Sequence, residues 1–89
     1  MRIVVNKCYG GFHLPEEFCT AYGFDRYDEI DRADTNLANF VQANGGMVRD
    51  SFACLQITEI PDEVSDWEIS EYDGYESVIY VLDGKIHHA

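Results

Sequence analysis

The alternation of hydrophobic and polar positions predicts a strand and two helices in the first half of the chain. Ile3 to Asn6 contains three consecutive β-branched residues, which is typical of a strand buried on both faces and therefore central in its sheet. Pro15 to Tyr22 favours a short helix, since proline suits the first helical position and two glutamates follow it. Asp34 is a good N-cap for a second helix over Thr35 to Asn44, and a glycine pair ends that helix.

The second half has the period-two pattern of strands. Ser51 to Thr58 alternates apolar and polar residues, as a half-buried strand does. Asp66 to Tyr72 and Tyr75 to Leu82 are separated by Asp73-Gly74, which is a strong signal for a two-residue hairpin turn. A second aspartate-glycine turn then leads into a short strand over Lys85 to His88.

These elements predict a small single domain of the α+β class over residues 1–89, with a mainly antiparallel sheet of four to five strands and two helices on one face. A two-residue turn also fixes the register of the hairpin, because it pairs Tyr72 with Tyr75. The same register makes one face of the hairpin apolar, and we expect this face to pack on the helices. Its residues are Trp67, Ile69, Val78, Tyr80 and Leu82.

Glu71 and Glu76 lie directly opposite each other in this register. Like charges in a cross-strand pair destabilise a hairpin by a fraction of a kcal/mol. Two interpretations remain open. Either the turn extends beyond the core and both carboxylates are solvated, or the pair is retained for binding.

The negative charge of the chain is the composition feature that most restricts its possible binding partners. The net charge is −11, and the segment from Glu59 to Glu76 contains eight carboxylates and no lysine or arginine. Aromatic and aliphatic residues lie among them, so the segment is typical of folded structure and not of a disordered tail. Such a surface repels nucleic acid and attracts basic protein surfaces. The alternative is an ordinary solvated face.

Carboxylates two residues apart on one strand face are about 6.5–7 Å apart, which is comparable to the spacing of backbone phosphates. The sequence therefore predicts a face that binds a basic protein partner, with aromatic side chains as anchors. The predicted partner-binding residues are Glu59, Asp62, Glu63, Asp66, Glu68, Glu71, Tyr72, Asp73, Tyr75 and Glu76.

Cys8 and His13 give a second hypothesis, a metal- or thiol-dependent protein. Cys8 lies beside Lys7, and a neighbouring cation favours thiolate. However, the spacings of cysteine and histidine match no zinc motif, and no third group is placed to orient a nucleophile. We therefore expect no metal, no cofactor, no catalytic residue and no enzymatic activity.

The lack of a recognisable signal peptide or membrane span in the sequence predicts the cytoplasm as the compartment of the protein. The apolar run at the start is too short for a signal peptide, and no segment approaches the length of a membrane span. Three cysteines without paired spacing are typical of reduced thiols in the cytoplasm.

Three segments resemble a family of small acidic proteins of bacteriophages and prophages. Ile3 to Phe12 is similar to the family's hydrophobic strand followed by N-[KR]-C-[YF]-G-G-F. Leu55 to Asp62 and Trp67 to Val78 follow its pattern L-x-I-x-E-I-P-D and W-x-I-x-E-Y-D-G-x-E-x-V. Leu14-Pro15 and the end from Ile79 to Ala89 depart from the family.

The resemblance implies a phage origin. Small acidic phage proteins are often inhibitors of host defence, and anti-CRISPR proteins are the best-known group. Several of them occupy nucleic-acid-binding surfaces. The resemblance thus implies a host-cell cytoplasmic inhibitor whose partner is a nucleic-acid-binding defence protein.

Overall fold

The computed structural model describes residues 1–50 and 53–89, and these form six strands and two helices. In chain order they are β1 (Arg2–Asn6), α1 (Glu16–Tyr22), α2 (Thr35–Ala43), β2 (Met47–Asp50), β3 (Ala53–Glu59), β4 (Asp66–Tyr72), β5 (Tyr75–Leu82) and β6 (Lys85–His88). The strands form two antiparallel sheets with the orders β1-β3-β2 and β4-β5-β6. The predicted α+β class is confirmed, although the strands divide into two sheets where one was expected.

The first sheet lies between the helices and the second sheet. Alternate side chains of β1 show this arrangement, because they pack in opposite directions. Val4 packs with the helix residues Phe18, Leu37 and Val41 in one core cluster. Ile3 and its neighbour on the same face, Val5, pack instead with Val78 of the second sheet. The β1 strand is therefore buried on both faces, as its run of β-branched residues predicts.

The predicted central position of β1 is wrong, because β1 is an edge strand of its sheet. A sheet covered on both faces buries even its edge strands, so burial alone does not identify a central strand. The backbone N–H of Val4 donates to the carbonyl of Arg32 at 2.8 Å. The segment between the helices thus supplies a hydrogen-bond partner for one of the backbone groups along this edge.

The observed bounds of both helices agree with the predicted bounds to within one residue. In α1, Gly23 closes the helix in the left-handed conformation and its N–H donates to the carbonyl of Cys19. In α2, the Asp34 carboxylate caps the first turn by accepting from the N–H of Leu37 at 2.9 Å. None of the helices in the described ranges is long and apolar enough to cross a membrane.

The hairpin register is confirmed pair by pair from Tyr72 opposite Tyr75 to Trp67 opposite Tyr80. Both turn residues have positive φ, 51° at Asp73 and 88° at Gly74, as a type I′ turn requires. The apolar face of the hairpin does not pack on the helices as expected. It packs on the first sheet, because the helices cover the opposite face of that sheet.

Two further differences concern the middle of the chain. The β2 strand, Met47–Asp50, was not predicted, since four residues after a glycine pair carry no clear alternation. The strand predicted from Ser51 to Thr58 is observed as Ala53–Glu59, and its first two residues lie outside the described residues. Leu55 and Ile57 lie on the face that packs with the helices.

Candidate functional site

Glu76 is buried, in contrast to every other carboxylate of the acidic segment. It is 5% exposed, and its two oxygens accept from the two terminal nitrogens of Arg32 at 2.6 and 2.9 Å. The backbone N–H of Asn6 also donates to Glu76 at 2.7 Å. The prediction that Glu76 contacts a partner is therefore wrong, and so is the prediction of a solvated pair, because an internal arginine already binds this carboxylate.

Arg32 comes from the segment between the helices and joins three elements. Its guanidinium donates to the carbonyl of Val4 at 3.3 Å and lies 3.5 Å from the ring centre of Phe12. Cation–π stacking and the bidentate ion pair hold its planar group from two directions. Sequence analysis missed Arg32, because nothing local distinguishes it from a surface arginine.

Asn6 is fully buried at the end of β1 and uses both ends of its amide. Its nitrogen donates to the carbonyls of Cys8 at 2.9 Å and Gly74 at 2.7 Å. Its oxygen accepts from the N–H of Cys54 at 2.8 Å. A single side chain thus ties the loop after β1 to β3 and to the hairpin turn of the second sheet.

Gly74 lies directly against the glycine pair of that loop. A Cβ at Gly74 would be 2.7 Å from the backbone nitrogen of Gly10 and would also clash with Gly11. Gly11 has a φ of 91°, a backbone conformation that glycine adopts without steric cost. The glycine pair after β1 and the aspartate-glycine turn of the hairpin therefore meet in space.

We call this internal contact the motif junction, defined by Asn6, Phe12, Arg32, Gly74 and Glu76. Its groups are largely buried and hydrogen-bonded to each other. The part of the motifs that forms this junction thus has a structural role in joining the two sheets. A binding surface has to be sought among the remaining predicted residues.

The other predicted partner-binding residues are all exposed. They are Glu59, Asp62, Glu63, Asp66, Glu68, Glu71, Tyr72, Asp73 and Tyr75. At one end of this group, Glu59 lies opposite Arg2, and Asp62 accepts from the ammonium group of Met1 at 2.6 Å. That hydrogen bond and the adjacent positive charge lower the pKa of Asp62. Negative charge is therefore partly balanced at this end.

Two of the exposed carboxylates, Asp66 and Glu68, lie on the side of the second sheet that faces away from the first. We call this side the outer face. Its positions, read from the register, are Asp66, Glu68, Ser70, Tyr72, Tyr75, Ser77, Ile79, Val81, Ile86 and His88. None of these positions carries a lysine or arginine. Asp66 and Glu68 are thus two carboxylates spaced two residues apart on one strand face, whereas Glu71 and Asp73 lie off this face.

At the turn end, exposed aromatic residues accompany the charge. The rings of Tyr9 and Tyr75 are 5.6 Å apart, and the Lys7 ammonium lies 5.0 Å from the ring centre of Tyr75. Tyr72 is exposed beside them. Glu71 accepts from the N–H of Gly74 at 2.6 Å, which stabilises the turn and leaves its second oxygen for other contacts.

The environment of Cys8 disfavours the thiol hypothesis. Burial raises the pKa of the Cys8 thiol, a hydrogen bond with the Cys54 thiol and the charge of Cys54 raise it further, and the positive charge of Arg49 opposes them. His13 is buried and its ring contacts the ring of Tyr27 edge-on, with centres 6.0 Å apart. Within residues 1–50 and 53–89, no three or more histidine, cysteine or acidic side chains are grouped as metal ligands.

Because its pKa is raised, Cys8 should remain protonated at neutral pH and react slowly. We expect iodoacetamide to alkylate Cys8 at pH 7 more slowly than an exposed cysteine in a short peptide, and the rate to rise only at a higher pH. Peptide mapping by mass spectrometry separates Cys8 from the other thiols, and the same reaction in urea is the control. Faster alkylation than in the peptide at pH 7 would restore the thiolate hypothesis.

Comparison with known proteins adds no relative. No family model, curated protein or solved structure matches the chain. The features that bear on function are the outer face, the exposed turn and the charge of the chain.

Proposed function

We propose that this chain is a phage-encoded, non-enzymatic inhibitor of a bacterial defence system, of the anti-CRISPR type, that acts in the cytoplasm of the host cell. Its acidic surface would occupy a basic, nucleic-acid-binding surface of the target protein. The observation that carries the proposal is the outer face, where Asp66 and Glu68 are exposed and none of the strand positions is a lysine or arginine.

Physical arguments favour a protein partner with positive charge. A net charge of −11 on 89 residues repels polyanions and attracts basic surfaces, which raises the rate of encounter at low salt. Ordinary surfaces mix both signs of charge. The strand positions of the outer face carry carboxylates and no lysine or arginine, and the Lys7 ammonium approaches this face only at the ring of Tyr75 among the contacts described. A protein that binds DNA or RNA offers such a basic groove, since counterion release at phosphate contacts supplies much of its affinity.

The side chains also have suitable positions. Asp66 and Glu68 are two residues apart on one strand face, about 6.5–7 Å, so their carboxylates can follow a row of phosphate-binding side chains. Tyr72 and Tyr75 extend the same face at the turn, where aromatic rings can anchor an interface. The phage resemblance of the sequence supports a target in host defence.

Neutralising the surface carboxylates should weaken inhibition and leave the fold intact. The test variant combines Asp66→Asn, Glu68→Gln, Glu71→Gln and Asp73→Asn, and it omits Glu76 because that residue is buried. Each exposed charge contributes about 0.2–1 kcal/mol, so the four together should weaken binding by about tenfold, mainly through slower association. The assay measures whether the protein releases purified CRISPR effector complexes from their target DNA in gel shifts, at two salt concentrations.

A matched control removes the same charge elsewhere, at Glu16, Glu17, Asp25 and Glu29, which are exposed on the helical side. We expect this control to retain nearly full inhibition. If the first variant inhibits as well as the unmodified protein, the acidic surface is only a solvated face and the proposal is wrong. Tight, salt-sensitive binding of the isolated protein to DNA or RNA would also contradict it, because such binding requires cations on the protein.

A further inference from the structure

The outer face combines its negative charge with an apolar strip in which Ile86 is exposed and Ile79 and Val81 are half-buried. Ile86 is 69% exposed, and it lies opposite Val81 in the register between β5 and β6. Ile79 is the next residue of β5 on the same face. The opposite face of this sheet packs on β1, so these three aliphatic side chains lie on the solvent side, where Ile86 has no core to pack against in the described ranges.

Carboxylates border this strip on one side. Asp66 lies opposite Val81 and Glu68 lies opposite Ile79, so each aliphatic residue of β5 has a carboxylate as its cross-strand neighbour. A shallow cleft of about 160 Å³ lies between β4 and β6, lined by Asp66, Trp67, Glu68, Ile79, Val81 and Ile86. Drug-sized ligands occupy pockets of about 300–1,000 Å³, so this cleft fits a single apolar side chain better than a small-molecule ligand.

We propose that the outer face docks a segment of the partner protein in which an apolar side chain is flanked by lysine or arginine. The apolar side chain would enter the cleft against Val81 and Ile86, and the cations would pair with Asp66 and Glu68. This inference rests on the proposed function only in taking the partner to be a basic protein. It adds the position of the contact and a requirement for an apolar group that a phosphate mimic alone does not have.

Charge complementarity selects this occupant over the alternatives. Nucleic acid and anionic membrane surfaces are repelled by a chain with a net charge of −11. A second copy of the chain has the same carboxylates and the same net charge, so self-association through this face is disfavoured. A purely cationic surface would satisfy Asp66 and Glu68 and would leave Ile86 exposed.

The test uses two synthetic peptides of equal length and charge as probes. One alternates lysine with leucine, and the other alternates lysine with serine. Each is titrated into the ¹⁵N-labelled full chain and followed by NMR. We expect the lysine-leucine peptide to bind about tenfold more tightly, because only it buries apolar surface, and to shift the amide signals of Asp66, Glu68, Val81 and Ile86.

Two variants separate the apolar contact from the charges. Ile86→Ser should lower the affinity for the lysine-leucine peptide by about fivefold to tenfold at both low and high salt. Glu68→Gln should lower the affinity for both peptides at low salt only, since salt screens exposed charges. The control is Met47→Ser, which removes an apolar side chain that is 49% exposed on the other sheet and should change neither affinity.

Several results would overturn the docking proposal. These are equal affinity for the two peptides, an unchanged affinity after Ile86→Ser, or signal changes away from the outer face. Concentration-dependent dimerisation that Ile86→Ser abolishes would assign the face to a second copy instead. If the peptides bind as expected but no CRISPR effector is inhibited, the proposed function fails and the docking face stands. Full inhibition by the Ile86→Ser variant would reject the docking face alone.

Discussion

Replacing Glu76 with glutamine is expected to lower the free energy of unfolding by about 3 kcal/mol. Removing one partner of a buried ion pair costs about 3–5 kcal/mol, because the other charge is left without compensation. The lower end of this range applies, since the Arg32 side chain keeps 20% exposure and can regain some hydration. Urea unfolding followed by circular dichroism measures the change.

The matched control is Glu68→Gln, which makes the same chemical change at an exposed position of the neighbouring strand. It should change stability by less than about 0.5 kcal/mol. Combining Glu76→Gln with Arg32→Met in a double-mutant cycle isolates the ion pair, and the two single effects should not add. An unchanged or higher stability of Glu76→Gln would mean that Glu71 and Glu76 repel each other across the hairpin, as the sequence alone suggests.

The hairpin could be predicted in detail because its determinants are local. Asp73-Gly74 specifies a type I′ turn, and the turn length then fixes each pair along β4 and β5. The alternation of apolar residues independently identifies the inner face. Helix α2 was equally predictable, because Asp34 and the glycine pair mark its ends.

The environment of Glu76 could not be predicted, because it depends on contacts distant in sequence. Arg32 is 44 residues from Glu76, and Asn6 is 70 residues from it. Charge patterns within the acidic segment therefore suggested repulsion where the fold supplies a cation. The division into two sheets was missed for the same reason, since β1 and β5 pack face to face without sharing a ladder.

Within one hairpin, the acidic segment thus has two different roles. Glu76 lies on the inner side and joins the sheets through Arg32, whereas Asp66 and Glu68 lie on the outer face without such a partner among the described residues. Counting charge along the sequence treats these groups as equivalent, although Glu76 is buried and the outer ones are exposed to solvent. A neutralised variant that includes Glu76 should be destabilised by the loss of the ion pair with Arg32, so it would not isolate the effect of the surface carboxylates on binding.

Replacing Asn6 with alanine is expected to be at least as disruptive as the change at Glu76. The substitution leaves the N–H of Cys54 and the carbonyl of Gly74 without their side-chain partner at a buried position, and it removes the hydrogen bond to the carbonyl of Cys8. Each buried group left unsatisfied costs about 1–3 kcal/mol, so the total should be at least about 3 kcal/mol. For a domain of this size, that is a large fraction of the total stability.

Asn6→Asp gives the sharper test, because aspartate has nearly the same shape as asparagine. Its carboxylate can still accept from Cys54, but an oxygen would face the carbonyl oxygens of Cys8 and Gly74, and a second buried negative charge would lie near Glu76. We therefore expect Asn6→Asp to destabilise at least as much as alanine at pH 7. The control Asn36→Ala, at an exposed position of α2, should be neutral or slightly stabilising. If Asn6→Asp unfolds at the same urea concentration as the unmodified chain, the amide nitrogen of Asn6 does not hold the two sheets together.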